Sequence, residues 1–312
     1  MKFLLIGAGG VGIYFCGRAV MGGTDVEVVA RSGFDQVKEH GYQVQSIAGD
    51  FCFRPRVTAS VSECSADIDA VILATKVLPD VDRVKLLECA AGLPSHPPIV
   101  LIQNGIGIEN EIAAAYPDNE IISVIAYIGV SRENPGRIVH HGAGKLLLGK
   151  YNSSDTVTAE RIADCFRAGG VECRVTGDIA LERWRKLLWN LPFNPVSVLA
   201  GGVDTVQMCD RSDLENLCTA LMKEVAATTR ASGVMLTDEM ITEQLEYTRN
   251  FPAYRTSMLQ DFTAGRPLEV DAIIGNAVKI ADKCGVPVPV MRCCAALLKS
   301  MDKMQQERRL VK

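Results

Sequence analysis

Lys186, Asn190 and Asn194 stand at steps of four in the stretch Lys-Leu-Leu-Trp-Asn-Leu-Pro-Phe-Asn. Four residues is close to one helical turn, so such residues share a helix face. An ammonium there can steady a developing negative charge or deliver a proton, and two carboxamides can hold a polar ligand. Polar groups set among Leu, Trp and Phe need partners when buried. The partners are each other, a water or a ligand, so the stretch reads as either a structural polar seam or a substrate site. Pro192 complicates the geometry. It has no N–H and clashes with the carbonyl four residues back, so the helix should kink or end there. The shared face holds from Lys186 to Asn190 and is insecure at Asn194.

A second constellation opens the chain. Lys2–Ile6 is a short apolar run, and Gly7-Ala8-Gly9-Gly10-Val11-Gly12 follows at once, ahead of a helical segment over 13–21 that Gly22-Gly23 ends. Strand, GxGxxG and helix in this order predict a dinucleotide site. Gly7 permits the tight turn, Gly9 lets the backbone approach a pyrophosphate, and Gly12 lets helix and strand pack closely. The helix start offers free N–H groups and a positive dipole end to the phosphates. The next strand, 26–30, ends in Ala30-Arg31-Ser32, where a site for the unphosphorylated cofactor would carry Asp or Glu. A guanidinium can clamp a 2′-phosphate, so Arg31 at this position favours NADP(H), the plainer reading being a solvated arginine. Lys76 and Asn104 follow apolar strands at 70–74 and 99–102, where open α/β sheets bind ligands. A surface lysine and an Asn-Gly turn are the plainer readings of those two.

The elements that must position these residues change character midway. Strands and helices alternate as far as a strand at 171–175, including a β-hairpin expected within 137–149 around its glycines, to which His140 and His141 belong as structural residues. From Asp178, a candidate helix cap, the pattern is helical: 213–231, 237–247 with Thr237 as cap, 254–264, 271–284 and 290–306. The expected architecture is an α/β Rossmann-type N-terminal domain with a mostly parallel sheet over 1–177, and an all-α C-terminal domain over 178–312. The helix after Asp178 joins them, with a cleft expected beside it.

Composition narrows the function classes. A net charge of −4 without basic blocks gives no nucleic-acid surface. Eleven cysteines without CxxC, and only four histidines, give no metal spacing and suit reduced thiols in a reducing compartment. The glycines interrupt the N-terminal apolar run, so no signal peptide is expected, and no stretch reaches the ~18 apolar residues of a membrane span. A cytoplasmic protein is expected. The helical half carries apolar material enough for a homodimer.

The chain resembles the ketopantoate reductase family over nearly its full length. The resemblance rests on the glycine motif, Arg31, Lys76, Gln103-Asn104-Gly105, the Lys186/Asn190/Asn194 series with Pro195, Ser257-Met258-Leu259-Gln260-Asp261, and Gly265-Arg266-Pro267-Leu268-Glu269-Val270-Asp271. It implies NADPH-dependent reduction of 2-dehydropantoate to (R)-pantoate, in pantothenate biosynthesis. By position, Lys186 matches the catalytic lysine, and Glu269 the glutamate that orients it and the nicotinamide ribose. Asn104 matches an asparagine near cofactor and substrate, and Lys76 a cofactor-side lysine. Asn190, Asn194 and Ser257 match substrate-binding residues. The chain departs from the family at Asp204, where another substrate asparagine is common: a carboxylate there would meet a substrate hydroxyl differently or point away. Two other readings stand beside this one. A reductase of a different branched 2-keto acid would share the carbonyl chemistry, and a non-catalytic NADP(H) sensor would need the glycines and Arg31 but not Lys186 with Glu269. An opine-type dehydrogenase would need a histidine acid–base, and the helical half has none.

Overall fold

The computed structural model describes residues 1–310, so the last two residues of the expected helical domain lie outside it. The chain forms two compact units. The first comprises Met1–Lys76, Val81–Asn104 and Ile108–Ile179. The second takes Val77–Asp80, Gly105–Gly107 and the chain from Ala180 onward.

In the first unit the elements are β1 (Lys2–Ile6), α1 (Gly10–Met21), β2 (Asp25–Val29), α2 (Phe34–His40), β3 (Tyr42–Ser46), β4 (Phe51–Phe53), β5 (Arg56–Thr58), β6 (Ala70–Leu73), α3 (Arg83–Ala91), β7 (Ile99–Ile102), α4 (Asn110–Ala115), β8 (Ile121–Asn134), β9 (Arg137–Lys150), α5 (Val157–Ala168) and β10 (Glu172–Val175). They build one ten-stranded sheet in the order β4-β3-β9-β8-β7-β6-β1-β2-β5, with β10 beside β9. The pairs β7–β6, β6–β1 and β1–β2 are parallel, and so is β7–β8. Side chains alternate between the faces of a strand, and both faces are buried. Phe3 and Leu5 of β1 therefore pack with Ile13 and Phe15 of α1 and Phe166 of α5. Leu4 and Ile6 pack with Leu87 of α3 and Ile112 of α4.

The hairpin lies elsewhere than expected. All of 137–150 is a single strand, paired antiparallel with β8, and the turn is Pro135-Gly136, with Asn134 opposite Arg137. Gly136 supplies the positive φ of 81°. A Pro-Gly pair is the stronger turn signal. The glycines inside β9 serve irregular pairing instead. The register shifts at Tyr127/Ile128, opposite the Ala143–Lys145 stretch, and again at Gly129/Val130 and Arg132/Asn134.

The second unit holds α6 (Ile179–Leu199), α7 (Thr205–Cys209), α8 (Ser212–Ala231), α9 (Asp238–Asn250), α10 (Ser257–Thr263), α11 (Asn276–Lys283) and α12 (Pro289–Leu310). The helix expected over 271–284 opens as a π turn at Asp271–Gly275 before α11 begins. The segment expected to be helical from Tyr254 starts only at Ser257. Thr256 caps it there, accepting the N–H of Leu259. Thr237 does stand at the N-cap of α9, but without a capping hydrogen bond from its side chain.

The helix does not end at Pro192, one of the two outcomes expected there: α6 continues through Pro192 and Pro195 to Leu199. An interior proline costs about 3 kcal/mol or more. Packing outweighs it, because Leu187, Leu188, Leu191, Phe193, Val196 and Val198 are all buried in one core with Leu221, Met222 and Val225 of α8. Among the described residues no helix is long and apolar enough to cross a membrane.

Candidate active site

In the first unit the sheet carries the glycine turn, Arg31, Lys76 and Asn104 to one edge, just past the ends of neighbouring strands β1, β2, β6 and β7. The turn is built for a close approach. Gly7 has φ +110°, and a Cβ there would stand 2.6 Å from the Ala74 carbonyl carbon and the Thr75 nitrogen. At Gly12 a Cβ would stand 2.6 Å from Gly7 O, so that glycine sets the contact between α1 and the turn. A Cβ on Gly9 would meet nothing within 4 Å, which leaves the backbone open to a ligand. Gly9 is also the N-cap of α1, with no side-chain cap and no acidic residue in the first turn. These features suit a pyrophosphate at a helix N-terminus. Arg31 is exposed past β2, and Lys76 and Asn104 are half-buried.

A residue that the motifs did not single out for itself fixes the ends of β6 and β7. Buried Gln103 donates from Nε2 to Thr75 O at 2.6 Å and accepts from Arg83 Nη1 at 2.9 Å. Arg83 is itself buried, donates to Ile108 O at 2.8 Å and pairs with Glu111 at 2.6 Å. The network braces Thr75 and Gln103, the residues immediately before Lys76 and Asn104.

In the second unit, unbroken α6 keeps Lys186, Asn190 and Asn194 in one row. At 3.6 residues per turn the row drifts by only about 40° at each step. Asn190 and Asn194 are 9% and 2% exposed, so both carboxamides are committed to the interior. Asn194 Oδ1 is buried and, among the described residues, has no hydrogen-bond partner. Lys186 keeps some exposed surface as a residue, yet its ammonium is desolvated. Burial first, then the Arg183 guanidinium, lowers its pKa to about 7, while Glu269 pulls upward. Arg183 is held by Gly105 O at 3.1 Å. Glu269 Oε1 accepts the N–H of Val77 at 2.9 Å.

Ser257 is exposed at the first position of α10. Its place is set by buried neighbours: Ser197 donates to Asn194 O at 2.7 Å and shares a 2.7 Å hydrogen bond with Thr256, the cap of α10. The seam on α6 is thus tied to the residue preceding Ser257. Trp189, between Lys186 and Asn190, donates to Thr248 Oγ1 at 3.0 Å, and its ring packs 5.1 Å from that of Phe193. Asp204 is engaged in structure. It caps α7 by accepting Gln207 N–H at 2.9 Å, and Gln207 Oε1 accepts the Asp204 N–H in return. His140 also has a structural setting, buried against the Tyr14 ring and hydrogen-bonded with Ser46 Oγ at 2.8 Å. Arg183, Thr256 and Ser197 went unread in the sequence, since each looks like an ordinary polar residue on a helix or in a loop.

A doubly covered sheet with an open glycine turn, in one chain with a helical unit that carries a desolvated lysine, defines an NADP(H)-dependent oxidoreductase. Two family models match: "Ketopantoate reductase PanE/ApbA" over residues 3–153 and "Ketopantoate reductase PanE/ApbA C terminal" over 178–302. The chain belongs to the ketopantoate reductase family, whose activity is an NADP-dependent oxidoreduction at a CH–OH group. It is 32% identical over 318 residues to a 2-dehydropantoate 2-reductase of Nostoc sp., covering 96% of this chain and 95% of the relative. The crystal structure of 2-dehydropantoate 2-reductase from Methylococcus capsulatus is 38% identical, with a TM-score of 0.92 and 98% of each chain covered. A D-mandelate dehydrogenase solved with NADH and anilino(oxo)acetate shares the fold at 22% identity and a TM-score of 0.87, over 98% of this chain and 100% of that one.

Proposed function

We propose that this protein reduces 2-dehydropantoate to (R)-pantoate with NADPH, Lys186 supplying the proton. The observation that carries the reading is the desolvated ammonium of Lys186, under the opposing charges of Arg183 and Glu269, at the head of a row of buried carboxamides. The names of the relatives support the substrate. NADPH, when bound, supplies the hydride that a C2 carbonyl accepts. Lys186 then meets the charge that develops on the carbonyl oxygen, stabilises it and passes its proton to it. A lysine near pKa 7 is matched to this task, since it is an acid strong enough to give up its proton at neutral pH. Glu269 orients the ammonium and serves the nicotinamide ribose. Asn190, Asn194 and Ser257 hold the substrate, and the unpartnered Oδ1 of Asn194 is ready for a donor on it. Asn104 serves cofactor and substrate, and Lys76, with Gly7 to Gly12 and Arg31, the cofactor.

One observation favours a second reading. Asp204 stands where the family resemblance implies a substrate asparagine, and its carboxylate is spent on the α7 cap. A substrate without the distal hydroxyl, another branched 2-keto acid, loses nothing by that. Comparing kcat/KM for 2-dehydropantoate with that for branched 2-keto acids lacking the hydroxyl separates the two, and preference for the latter overturns the first. For the mechanism, Lys186→Ala is expected to lower kcat by ~10²–10⁴-fold with NADPH affinity nearly unchanged. Turnover retained in that variant removes Lys186 from the chemistry. Tight NADPH binding with no turnover of any 2-keto acid would make the protein a sensor.

A further inference from the structure

Strand β8 continues well past its pairing with β7, and its far end reaches the cofactor edge of the first unit. Val130 lies against the start of α1: a Cβ on Gly10 would stand 3.2 Å from both Val130 methyl groups. Two residues on, Arg132 Nη1 lies 3.3 Å from Ala8 O, inside the glycine turn, and 3.3 Å from Ser32 Oγ, next to Arg31. Three segments of chain, the turn, the end of β2 and the β8 arm, therefore meet at this one guanidinium. Both of its acceptors are neutral. The acidic neighbour Glu133 is turned to Arg137 at 2.9 Å, and among the described residues no carboxylate pairs with either Arg132 or Arg31. Two uncompensated guanidiniums thus flank Ser32, where the adenosine ribose of a dinucleotide meets the end of the second strand.

We propose that Arg132 is a second 2′-phosphate-binding residue, brought in by the β8 arm to share the phosphate with Arg31. The inference rests on the assignment of NADP(H) to this unit and not on the identity of the keto acid. A 2′-phosphate carries nearly two negative charges at neutral pH, more than one guanidinium neutralises. When it binds, the long contacts of Arg132 to neutral oxygens give way to charge-assisted ones, and Ser32 Oγ is released to donate to the same group. Arg132 is accordingly a determinant of the choice between phosphorylated and unphosphorylated cofactor.

The test is equilibrium binding of NADP+ and NAD+ to the full chain, by calorimetry, for wild type, Arg132→Gln and Arg132→Lys. Glutamine keeps a donor for Ala8 O and Ser32 while removing the charge, and so guards against loss of the fold. Arg132→Gln is expected to weaken NADP+ about 10-fold or more, the worth of a charge-assisted hydrogen bond. NAD+ affinity should change by less than about twofold, with Arg132→Lys in between for NADP+. Competition with 2′,5′-ADP and 5′-AMP should show the same split. Equal losses for both dinucleotides would mean that Arg132 only braces the turn or meets the pyrophosphate, and an unchanged NADP+ affinity would place it outside the site. Either result overturns the proposal.

Discussion

At the scale of the residue, the charge on Lys186 is set first by burial, and then by two neighbours that pull in opposite directions. Its pKa of about 7 lies below the ordinary lysine value, so the ammonium proposed as the proton donor is lost as pH rises through 7. The rate of reduction should therefore fall above about pH 7, and the reverse oxidation, which needs the neutral amine, should rise. Arg183→Leu removes the like charge and should move that limb to higher pH. Glu269→Gln removes the carboxylate and should move it lower. Initial-rate profiles from pH 5 to 10 read both, and a limb that stays put in Arg183→Leu would show that burial alone sets the pKa. Lys186 was legible in the sequence because a lone amine in an apolar helix is conspicuous. Arg183 was not, because a charge at a helical position three residues away looks like solvated surface, and only the fold places it in the interior. The role of Asp204 as the cap of α7, with Gln207 as its partner, was not legible either.

At the scale of the element, a single hydroxyl connects α6 to the start of α10. Thr256→Ala removes the cap, worth about 1 kcal/mol, and with it the hydrogen bond to the buried Ser197 Oγ, which keeps its own proton on Asn194 O; that bond is worth a further ~0.5–1.5 kcal/mol. The variant should melt several degrees lower and bind substrate more weakly, because Ser257 follows the cap. Ser257→Ala should raise KM without moving Tm, since that side chain is exposed. Thermal melts and KM values for the two variants together decide whether Thr256 acts through position, and an unaltered KM in Thr256→Ala would deny it. The strands at 2–6 and 99–102 were readable as unbroken apolar runs, because central parallel strands are buried on both faces. The segment 42–58 was not, since its three short strands alternate and sit toward the ends of the sheet order. Local chemistry misjudged α6 most: it weighs the missing N–H of Pro192 and cannot weigh the buried side chains on either side of it.

At the scale of the whole molecule, ligand binding and folding are linked. NADPH at 100 times its Kd should stabilise the protein by about 2.7 kcal/mol, a rise of several degrees in Tm by differential scanning fluorimetry, with NADH at the same concentration giving much less. Equal shifts would remove Arg31 as a selector. The cysteines described, all eleven, are free thiols, so the same melt should be indifferent to reductant. The broad division was legible as a change of hydrophobic period near residue 178. What the period could not reveal is that Val77–Asp80 and Gly105–Gly107 leave the first unit for the second, where Ile106 is buried in the helical core and its N–H is taken by Ala272 O. The halves are consequently not interchangeable cassettes. A chimera spliced at residue 178 from two relatives would inherit seven foreign residues inside its helical half, so recombination between members of the family should succeed only where those two short loops travel with the helices they serve.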